Sequence, residues 1–320
     1  MEIRKEIYPD GDVYEGEWLD GEPHGKGKYT WPDGDFYEGD FVHGKMRGKG
    51  KVVWLDGDCV EGDFVDGKPH GKGKYTWADG RVYEGDFVDG LRTGKGRNTW
   101  PGGNVYEGDF VEDRMEGKGK FTWSNGGFYQ GDFVNNFFQG KGRMLSIDGS
   151  VYEGDFAEDL KHGKGKIVNP DGTFYEGDFV HGEITGIGKE VWPDGSFYEG
   201  DFVKGTMHGR GRHTWPDGTF YDGDWVNGLK HGIGRYVWKS GPSAGSVYEG
   251  EWFEDERTGM GIHSWKSGAV YEGGYLKGKY HGMGKYTFPT GDCFEGEFSH
   301  GEEVKGVIRD REGNIIKRIG

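Results

Sequence analysis

Residues 36–57 read FYEGDFVHGKMRGKGKVVWLDG, and the rest of the chain repeats this stretch with small changes. Its opening phrase, Tyr37-Glu38-Gly39-Asp40-Phe41, occurs as thirteen copies, from Tyr14-Glu15-Gly16-Glu17-Trp18 to Phe294-Glu295-Gly296-Glu297-Phe298. Consecutive copies are almost always 23 residues apart. A fixed period of this length is typical of proteins built from stacked units that contact only their neighbours. The sequence therefore predicts one continuous array.

Two runs within this stretch alternate as β-strands do, with side chains two apart on one face. In the first run Tyr37, Gly39 and Phe41 share a face, and in the second the glycines share a face with Val52 and Trp54. Acidic residues of the first run and lysines of the second take the opposite face. Strand and turn alternate without a helix. We therefore expect an all-β, elongated, single-layer antiparallel β-meander of about 13 stacked 23-residue hairpins.

Glycine and aromatic residues recur at fixed positions of each repeat. The residue two after the tyrosine position is Gly in all thirteen copies, and the residue four after it is aromatic in all thirteen. Glycine weakens a strand, so its repetition indicates that an aromatic ring covers bare backbone there. A larger side chain at Gly16 or Gly27 would push that ring away. In the first repeat the structural residues are Tyr14, Gly16, Trp18, Gly25, Gly27 and Trp31.

Charge fills the opposite face. The two acidic positions of the first strand are occupied in 24 of 26 cases, and the two basic positions of the second strand in 19 of 24. Opposite charges on neighbouring strands form cross-strand pairs. A slip of one residue would move every charge to the aromatic face, so the ladder also predicts the register.

Turn residues separate the strands. Pro32-Asp33-Gly34 predicts a tight turn in which Gly has a positive φ. The other connection, from Leu19 to His24, is expected to be longer and to have Gly21 or a substitute in the left-handed region. The substitutes in other repeats are Asp113, Asn136, Asp159 and Asp255.

The predicted domain organisation is a single array over residues 1–320. Residues 1–12 form an N-terminal half-repeat cap, residues 13–303 the thirteen hairpins and residues 304–320 a C-terminal cap. Four extra residues between Tyr221 and Tyr248 predict a larger turn. The C-terminal segment either covers the array with a last hairpin or pairs with a second chain, so a homodimer through this end is one alternative.

Composition limits the function classes. The formal net charge of −16 disfavours nucleic acid, which requires clustered Lys and Arg, and disfavours attachment to anionic lipid. The chain has neither an apolar run long enough to cross a bilayer nor a signal peptide. Its two cysteines are 234 residues apart and give no reason to expect a disulfide. We therefore expect a cytoplasmic protein.

The pattern Tyr-x-Gly-x-Phe/Trp, then Gly-x-Gly, then a turn glycine resembles the MORN repeat (membrane occupation and recognition nexus) over nearly the whole chain. The resemblance implies a twisted single-layer sheet with an aromatic-lined groove. Similar arrays occur in radial-spoke heads and other ciliary proteins, in cytoskeletal scaffolds and in junctophilins. Enzymes that contain such arrays keep catalysis in a separate domain.

The leading functional hypothesis is a non-enzymatic scaffold for other proteins of a ciliary or cytoskeletal complex, located at the cytoskeleton or cilium. The alternative is a phospholipid-membrane tether or a membrane-junction component, although the acidic balance disfavours membrane contact. Carboxylate pairs such as Glu84 and Asp86 are the residue type that acid–base catalysis uses, but they recur along the array, mostly opposite basic residues. A charge ladder explains them better, so we expect no enzyme.

Histidines recur directly before the glycine pair of six repeats. Equivalent positions lie two strand spacings apart, about 9–10 Å, which is too far for a shared metal ion. We therefore expect polar residues at the ends of loops, with neither a metal nor a cofactor. These histidines are His24, His70, His162, His208, His231 and His281.

Apolar residues replace the basic ones at five positions towards the C-terminus, with tyrosine nearby in sequence. Apolar residues on a charged face often mark an interface. The alternative is that they pack against loops or the cap. The candidate partner-binding residues are Ile187, Ile233, Met260, Ile262, Tyr275 and Met283.

Overall fold

The computed structural model describes residues 2–320, and every regular element in this range is a β-strand. The prediction of an all-β meander of hairpins is confirmed. The chain divides after Leu160 into two units, which are described separately. Strand β15, which begins at Leu160, is described with unit 2.

Unit 1 contains the first fourteen strands, and those that are neighbours along the chain within the unit pair antiparallel. The strands are β1 (Glu2–Ile7), β2 (Val13–Leu19), β3 (Glu22–Thr30), β4 (Phe36–Val42), β5 (Lys45–Val53), β6 (Cys59–Val65), β7 (Lys68–Thr76), β8 (Val82–Val88), β9 (Leu91–Thr99), β10 (Val105–Val111), β11 (Arg114–Thr122), β12 (Phe128–Val134), β13 (Phe137–Leu145) and β14 (Val151–Ala157).

Unit 2 follows the same scheme of antiparallel sequence neighbours. Its strands are β15 (Leu160–Val168), β16 (Phe174–Val180), β17 (Glu183–Val191), β18 (Phe197–Val203), β19 (Thr206–Thr214), β20 (Phe220–Val226), β21 (Leu229–Val237), β22 (Val247–Phe253), β23 (Glu256–Ser264), β24 (Val270–Leu276), β25 (Lys279–Thr287), β26 (Cys293–Ser299), β27 (Glu302–Arg309) and β28 (Ile315–Ile319).

The register within a hairpin is regular up to the glycine pair and then shifts. In the hairpin of β4 and β5, Gly39 lies opposite Gly50, but Phe41 lies opposite Met46. The extra residues on the second strand form a β-bulge, and Gly48 within it has a φ of +108°. Bulges of this kind recur because a glycine adopts the left-handed conformation without a Cβ penalty.

The turn between the two strands of a hairpin is shorter than predicted. Strand β2 ends at Leu19 and β3 begins at Glu22, so only Asp20 and Gly21 form the loop. Both have positive φ, 51° and 82°, as a two-residue turn of the I′ type requires. The predicted substitutes also have positive φ, between 67° and 73°, which confirms their conformation. These are Asp113, Asn136, Asp159 and Asp255.

The turn after each closing aromatic residue agrees with the prediction. Gly34 has a φ of 100°, and its N–H donates to the carbonyl oxygen of Trp31 at 3.0 Å. The predicted larger turn lies between β21 and β22. There the N–H of Trp238 donates to the carbonyl oxygen of Ser246 at 3.1 Å, which closes the loop.

Both ends of the described chain have a terminal strand. Strand β1 pairs with β2, and the Arg4 guanidinium lies 3.7 Å from the centroid of the Trp18 ring. At the other end, β27 and β28 form a last hairpin in which Gly306 lies opposite Ile319. Strand β27 begins at Glu302 and pairs with β26, so the thirteenth hairpin extends beyond residue 303.

Candidate interaction surfaces

The aromatic face of the strands is filled by a chain of perpendicular rings. The ring of Tyr37 packs against Phe41 of its own repeat, with centroids 5.2 Å apart, and against Phe64 of the next repeat at 5.1 Å. Edge-to-face pairs at this spacing each stabilise by about 0.5–1.5 kcal/mol beyond area burial. The tyrosine side chains are almost completely buried, with Tyr14 and Tyr37 at 0% exposure.

Burial of these tyrosines changes their acidity. Because the phenolate form is poorly solvated on this face, the pKa of four of them rises from 10.0 to about 12. These are Tyr14, Tyr83, Tyr175 and Tyr271. The rings remain neutral at physiological pH, as a core residue requires.

The two glycines of the second strand have different physical roles. A Cβ at Gly27 would lie less than 3.0 Å from three atoms of the Tyr14 side chain. This confirms that a ring covers the bare backbone. Gly25 instead has a φ of +64°, and a Cβ there would meet the Glu17 carboxylate. Gly16 faces the backbone of Gly27 as well as the Tyr14 hydroxyl.

The tyrosine hydroxyl has a backbone partner that the sequence analysis missed. Tyr37 donates from Oη to the carbonyl oxygen of Asp40 at 3.0 Å, and Tyr83 donates likewise to Asp86 at 2.9 Å. The accepting carbonyl lies next to the bulge, where the regular ladder is interrupted. The preference for Tyr over Phe at this position was the available signal.

On the charged face, one acidic residue connects consecutive repeats. Asp40 accepts the backbone N–H of Lys49 in its own hairpin at 2.9 Å. Its other carboxylate oxygen lies 2.6 Å from Nζ of Lys26 in the preceding hairpin. The predicted charge ladder is therefore present, and this acidic position also satisfies a donor at the bulge. In unit 2 the same contacts, to the Lys164 ammonium and the N–H of Ile187, lower the pKa of Asp178.

A trough of about 1410 Å³ lies over the first four repeats of unit 1. Charged side chains such as Lys28, Glu38 and Lys51 line it, together with the glycine backbone between them. In unit 2 a notch of about 360 Å³ is lined by Trp215 and Trp238 among others. The groove in unit 1 is thus lined by charge, and rings line the notch in unit 2.

In some repeats the histidine position supports the neighbouring turn. Nδ1 of His70 accepts the N–H of Asp89 at 3.5 Å, and in another repeat Glu116 accepts the N–H of Asn135 at 2.8 Å. Both residue types therefore act as acceptors for a turn amide of the next repeat. Among residues 2–320, no three His, Cys, Asp or Glu side chains form a group that could hold a metal ion.

Two other histidines lie on the aromatic face and were missed by the sequence analysis. His263 is 7% exposed and lies between Trp238 and Trp265, with ring centroids 5.2 Å and 3.9 Å away. Burial, and then the nearby Arg257, lower its pKa from 6.5 to about 4. His213 occupies the same position in an earlier repeat, and its pKa is also lowered by burial. Tyr236 and Tyr286 show that this position belongs to the aromatic face.

The apolar candidates on the charged face are exposed, so they do not pack against loops or the cap. Their exposed fractions are 65% for Ile187, 57% for Ile233, 60% for Met260, 42% for Ile262 and 70% for Met283.

The structure corrects the grouping of Tyr275 with these residues. Tyr275 lies opposite Gly259, whereas Met260 lies opposite Gly274, so the two side chains are on different faces. Tyr275 is 4% exposed and packs edge-to-face against Tyr271. It belongs to the ring chain because it occupies the aromatic position four residues after Tyr271.

Among the described residues, no helix has the length and apolar character needed to cross a membrane. A comparison with curated protein sequences found no match.

Solved structures show only distant likeness. The TCP10c domain of Drosophila melanogaster Sas-4 is 11% identical, with 56% of this chain and 100% of that chain covered and a TM-score of 0.30. The TCP10 domain of Danio rerio CPAP, in complex with a STIL peptide, is 14% identical, with coverage of 99% and 98% and a TM-score of 0.15. A catalytically inactive virginiamycin B lyase from Staphylococcus aureus is 12% identical, with coverage of 92% and 90% and a TM-score of 0.14. All three TM-scores are too low to support any inference about function.

A family model gives a specific result that agrees with the repeated geometry. The MORN repeat matches at residues 14–36, 37–59, 61–80, 83–105, 106–128, 129–151, 152–174, 175–197, 198–220, 221–243, 248–270, 271–293 and 294–315. The matched segments cover most of the chain, and each except 294–315 contains the glycine pair of the second strand. The segment 61–80 begins one residue after Val60, and the last segment begins at Phe294 in place of the tyrosine. With thirteen matched segments that build its ring chain, its glycine backbone and its charge ladder, the chain belongs to the MORN-repeat family.

Proposed function

We propose that this chain is a non-enzymatic scaffold that binds other proteins along its repeat faces, as a structural part of a ciliary or cytoskeletal assembly in the cytoplasm. The MORN repeat is generally a non-enzymatic repeat module. A scaffold needs extended surface, and the trough over the first four repeats of unit 1 provides it.

The observation that supports this proposal most is the structural use of the repeated carboxylates. Asp86 accepts the N–H of Lys95 at 3.2 Å and pairs with Nζ of Lys72 at 2.7 Å. Glu84 pairs with Nζ of Lys74 at 3.2 Å. Because equivalent contacts recur in other repeats, these carboxylates stabilise the stack, and no single pair is set apart for acid–base chemistry.

Proximity labelling in the native cell, combined with imaging, tests the proposal. We expect a labelling enzyme fused to the chain to enrich ciliary or cytoskeletal proteins and to localise with them. Enrichment of membrane proteins alone, together with flotation of the purified chain on anionic liposomes, would favour the membrane tether instead.

We further propose that the C-terminal strand can mediate a homodimer. Strand β28 offers its second edge for pairing, and its residues Ile315 and Ile316 are 44% and 59% exposed. An exposed edge with apolar side chains favours pairing with another chain. Sedimentation over a range of concentrations should show a dimer that Ile316→Lys weakens, and a concentration-independent monomer would contradict this proposal.

A further inference from the structure

The charged face departs from its own pattern at five positions, and all five lie in unit 2. Elsewhere the basic position holds Lys or Arg, as Lys26 and Lys49 do. In unit 2 the departures are all Ile or Met, with exposed fractions from 42% to 70%. Random loss of lysine would introduce polar and small residues as well. The restriction to exposed, flexible or branched apolar side chains indicates a surface that makes contact.

Four of these residues form an apolar row across neighbouring strands, defined as Ile233, Met260, Ile262 and Met283. They lie on β21, β23 and β25, and one other strand separates each of these strands from the next. Each step along the row is therefore two strand spacings, or about 10 Å. Between Met260 and Met283 the register places Gly274, which has no side chain to interrupt the row. Ile262 is two residues from Met260 on the same face of the same strand and widens the row.

Two carboxylates at the apolar row lack the cations that accompany their counterparts elsewhere. Ile233 lies opposite Glu251, and Met283 lies opposite Glu297. At the equivalent place in unit 1, Lys26 and Asp40 form an ion pair of 2.6 Å. Among residues 2–320, neither Glu251 nor Glu297 has a cationic side chain within ion-pair distance.

The balance of charge on this face differs between the two units. Over the four repeats of residues 14–97, the acidic and basic positions hold eight carboxylates and eight cations. Over the four repeats of residues 198–285, the same positions hold seven carboxylates and four cations. The charged face around the apolar row is therefore both more apolar and more negative than the same face over residues 14–97.

We propose that the apolar row and the carboxylates around it bind a basic amphipathic segment of another protein. This inference rests on the proposed scaffold function and specifies the chemistry of one partner. Apolar side chains of the segment would cover the exposed Ile and Met residues, and its Lys or Arg residues would pair with Glu251 and Glu297. The surplus negative charge opposes an anionic membrane at the same place.

The spacing of the row fits a helix laid across the strands. Residues seven apart on a helix are separated by about 10.5 Å, close to the two-strand step of about 10 Å. A helix with one apolar face and basic flanks would therefore place successive anchors over Ile233, Met260 and Met283, as in other helix-in-groove complexes.

The test uses the full chain and a defined probe. The probe is a synthetic, fluorescently labelled helix of about 18 residues with Leu on one face and Lys on the other. A second peptide keeps the Leu face and replaces every Lys with Glu. Binding is measured by fluorescence anisotropy at low and at high salt. We expect the Lys peptide to bind at micromolar concentration, more weakly in high salt, and the Glu peptide to bind at least about ten-fold more weakly.

Variants separate the apolar contribution from the charge. Met260→Lys/Ile262→Lys/Met283→Lys restores the usual basic residues of the repeat, so the fold is expected to persist. We expect it to weaken binding of the Lys peptide by at least about ten-fold. Met260→Gln/Ile262→Gln/Met283→Gln removes the apolar side chains without adding charge and is expected to weaken binding as well.

A matched control in unit 1 makes the same change of net charge. Leu55→Lys/Val88→Lys/Val111→Lys also replaces three exposed apolar residues, which are 76%, 44% and 45% exposed. We expect this control to bind the Lys peptide within about two-fold of the parent chain. Circular dichroism and thermal unfolding confirm that each variant is folded.

Three results would overturn the inference. One is absence of binding of the Lys peptide to the parent chain, and another is equal binding by the parent and the triple Lys variant. The third is a triple Lys variant that still binds the Lys peptide but has lost self-association or binding to phosphatidylserine vesicles. That result would mean that a second copy of the chain or a membrane covers the apolar row. In each case proximity labelling can still identify protein partners, so the scaffold function would survive the failure of this inference.

Discussion

At the scale of single residues, the tyrosine position makes several different contacts at once. Tyr37 covers Gly50, packs against two aromatic rings and donates its hydroxyl proton to the carbonyl oxygen of Asp40. The third repeat has Val60 at this position. There an added Cβ at Gly73 would lie 3.1 Å from the Phe87 ring of the next repeat. The glycine backbone therefore keeps an aromatic cover even where the tyrosine is missing.

Replacing a glycine that an aromatic ring covers should displace that ring. In Gly50→Ala the new Cβ would lie less than 3.0 Å from the Tyr37 ring, which has little room to move on a filled face. We expect the free energy of unfolding to fall by about 1–3 kcal/mol, measured by urea denaturation. Gly102→Ala is the matched control, because an added Cβ there meets no atom within 4 Å. Equal stability of the two variants would contradict the aromatic cover.

The buried histidine of unit 2 should make stability depend on acidity. The pKa of His263 is about 4 in the folded chain, against an ordinary value of 6.5. As pH falls below 6.5 the unfolded chain binds a proton that folded His263 does not, so stability is lost progressively down to about pH 4. His263→Tyr introduces the residue of neighbouring repeats, Tyr236 and Tyr286, and removes this dependence.

Thermal unfolding at about pH 7.5 and pH 5 measures the effect. We expect the fall in Tm of unit 2 between these values to be smaller by about 3–6 °C in His263→Tyr than in the parent. His70→Gln, which changes an exposed turn acceptor, should leave the fall unchanged. An identical fall in His263→Tyr would show that His263 is not held neutral.

At the scale of the hairpin, the bulge determines how one repeat joins the next. The register shift after Gly39 leaves the N–H of Lys49 outside the regular ladder, and the Asp40 carboxylate accepts it. The same carboxylate pairs with Lys26 of the preceding hairpin. A local irregularity of one hairpin is therefore coupled to the contact between hairpins.

Substitutions at Asp40 should separate these two contributions. Asp40→Ala removes both contacts, and we expect a loss of about 1–2 kcal/mol because the ion pair is largely exposed and weak. Asp40→Asn keeps an oxygen acceptor for the Lys49 N–H and should cost less than half as much. Urea denaturation at low salt and at about 1 M NaCl measures both, and salt should shrink the Asp40→Asn effect in particular.

The neighbouring Glu38 provides a control on the same strand and face. Glu38→Ala changes charge by the same amount without touching the bulge, so we expect a change within about 0.5 kcal/mol. Equal losses for Asp40→Ala and Glu38→Ala would mean that the bulge contact does not stabilise the hairpin.

At the scale of the whole chain, stability within each unit comes from contacts between consecutive repeats. Tyr75 lies opposite Tyr83 in one junction, and Asn98 lies opposite Tyr106 in the next, so the two junctions have the same register. A repeat can therefore be removed without changing the pairing of those that remain, as expected for a quasi-one-dimensional protein.

Deletion of one complete repeat should preserve the fold of unit 1. Removing residues 83–105, one matched MORN segment, joins Val82 to Tyr106 and brings the rest of β10 beside β7 in the native register. We expect circular dichroism of a β-protein and a Tm within about 5 °C of the parent. Removing residues 83–93 instead deletes β8 after Val82 together with the first three residues of β9, and it brings the basic residues of β7 near those of β9. That variant should unfold or precipitate, and a native-like Tm would contradict the repeat model.

The sequence by itself determined the strands, their two faces and the regular part of their register. Side chains along a strand alternate between two faces, and the 23-residue period repeats this alternation in each hairpin. Tyr37, Gly39 and Phe41 could therefore be assigned to one face from the sequence. The aromatic cover over Gly27 and the charge ladder could be predicted from the same alternation of side chains.

Only the tertiary structure decided what lies outside that alternation. The bulge at Gly48, the partner of the tyrosine hydroxyl and the second role of Asp40 depend on how one strand shifts against its neighbour. The burial of His263 and Tyr275 depends on the rings that adjacent repeats place around them. Spacing along a strand tells which face a residue takes, but the contacts that bury it come from other strands, and packing between strands sets them.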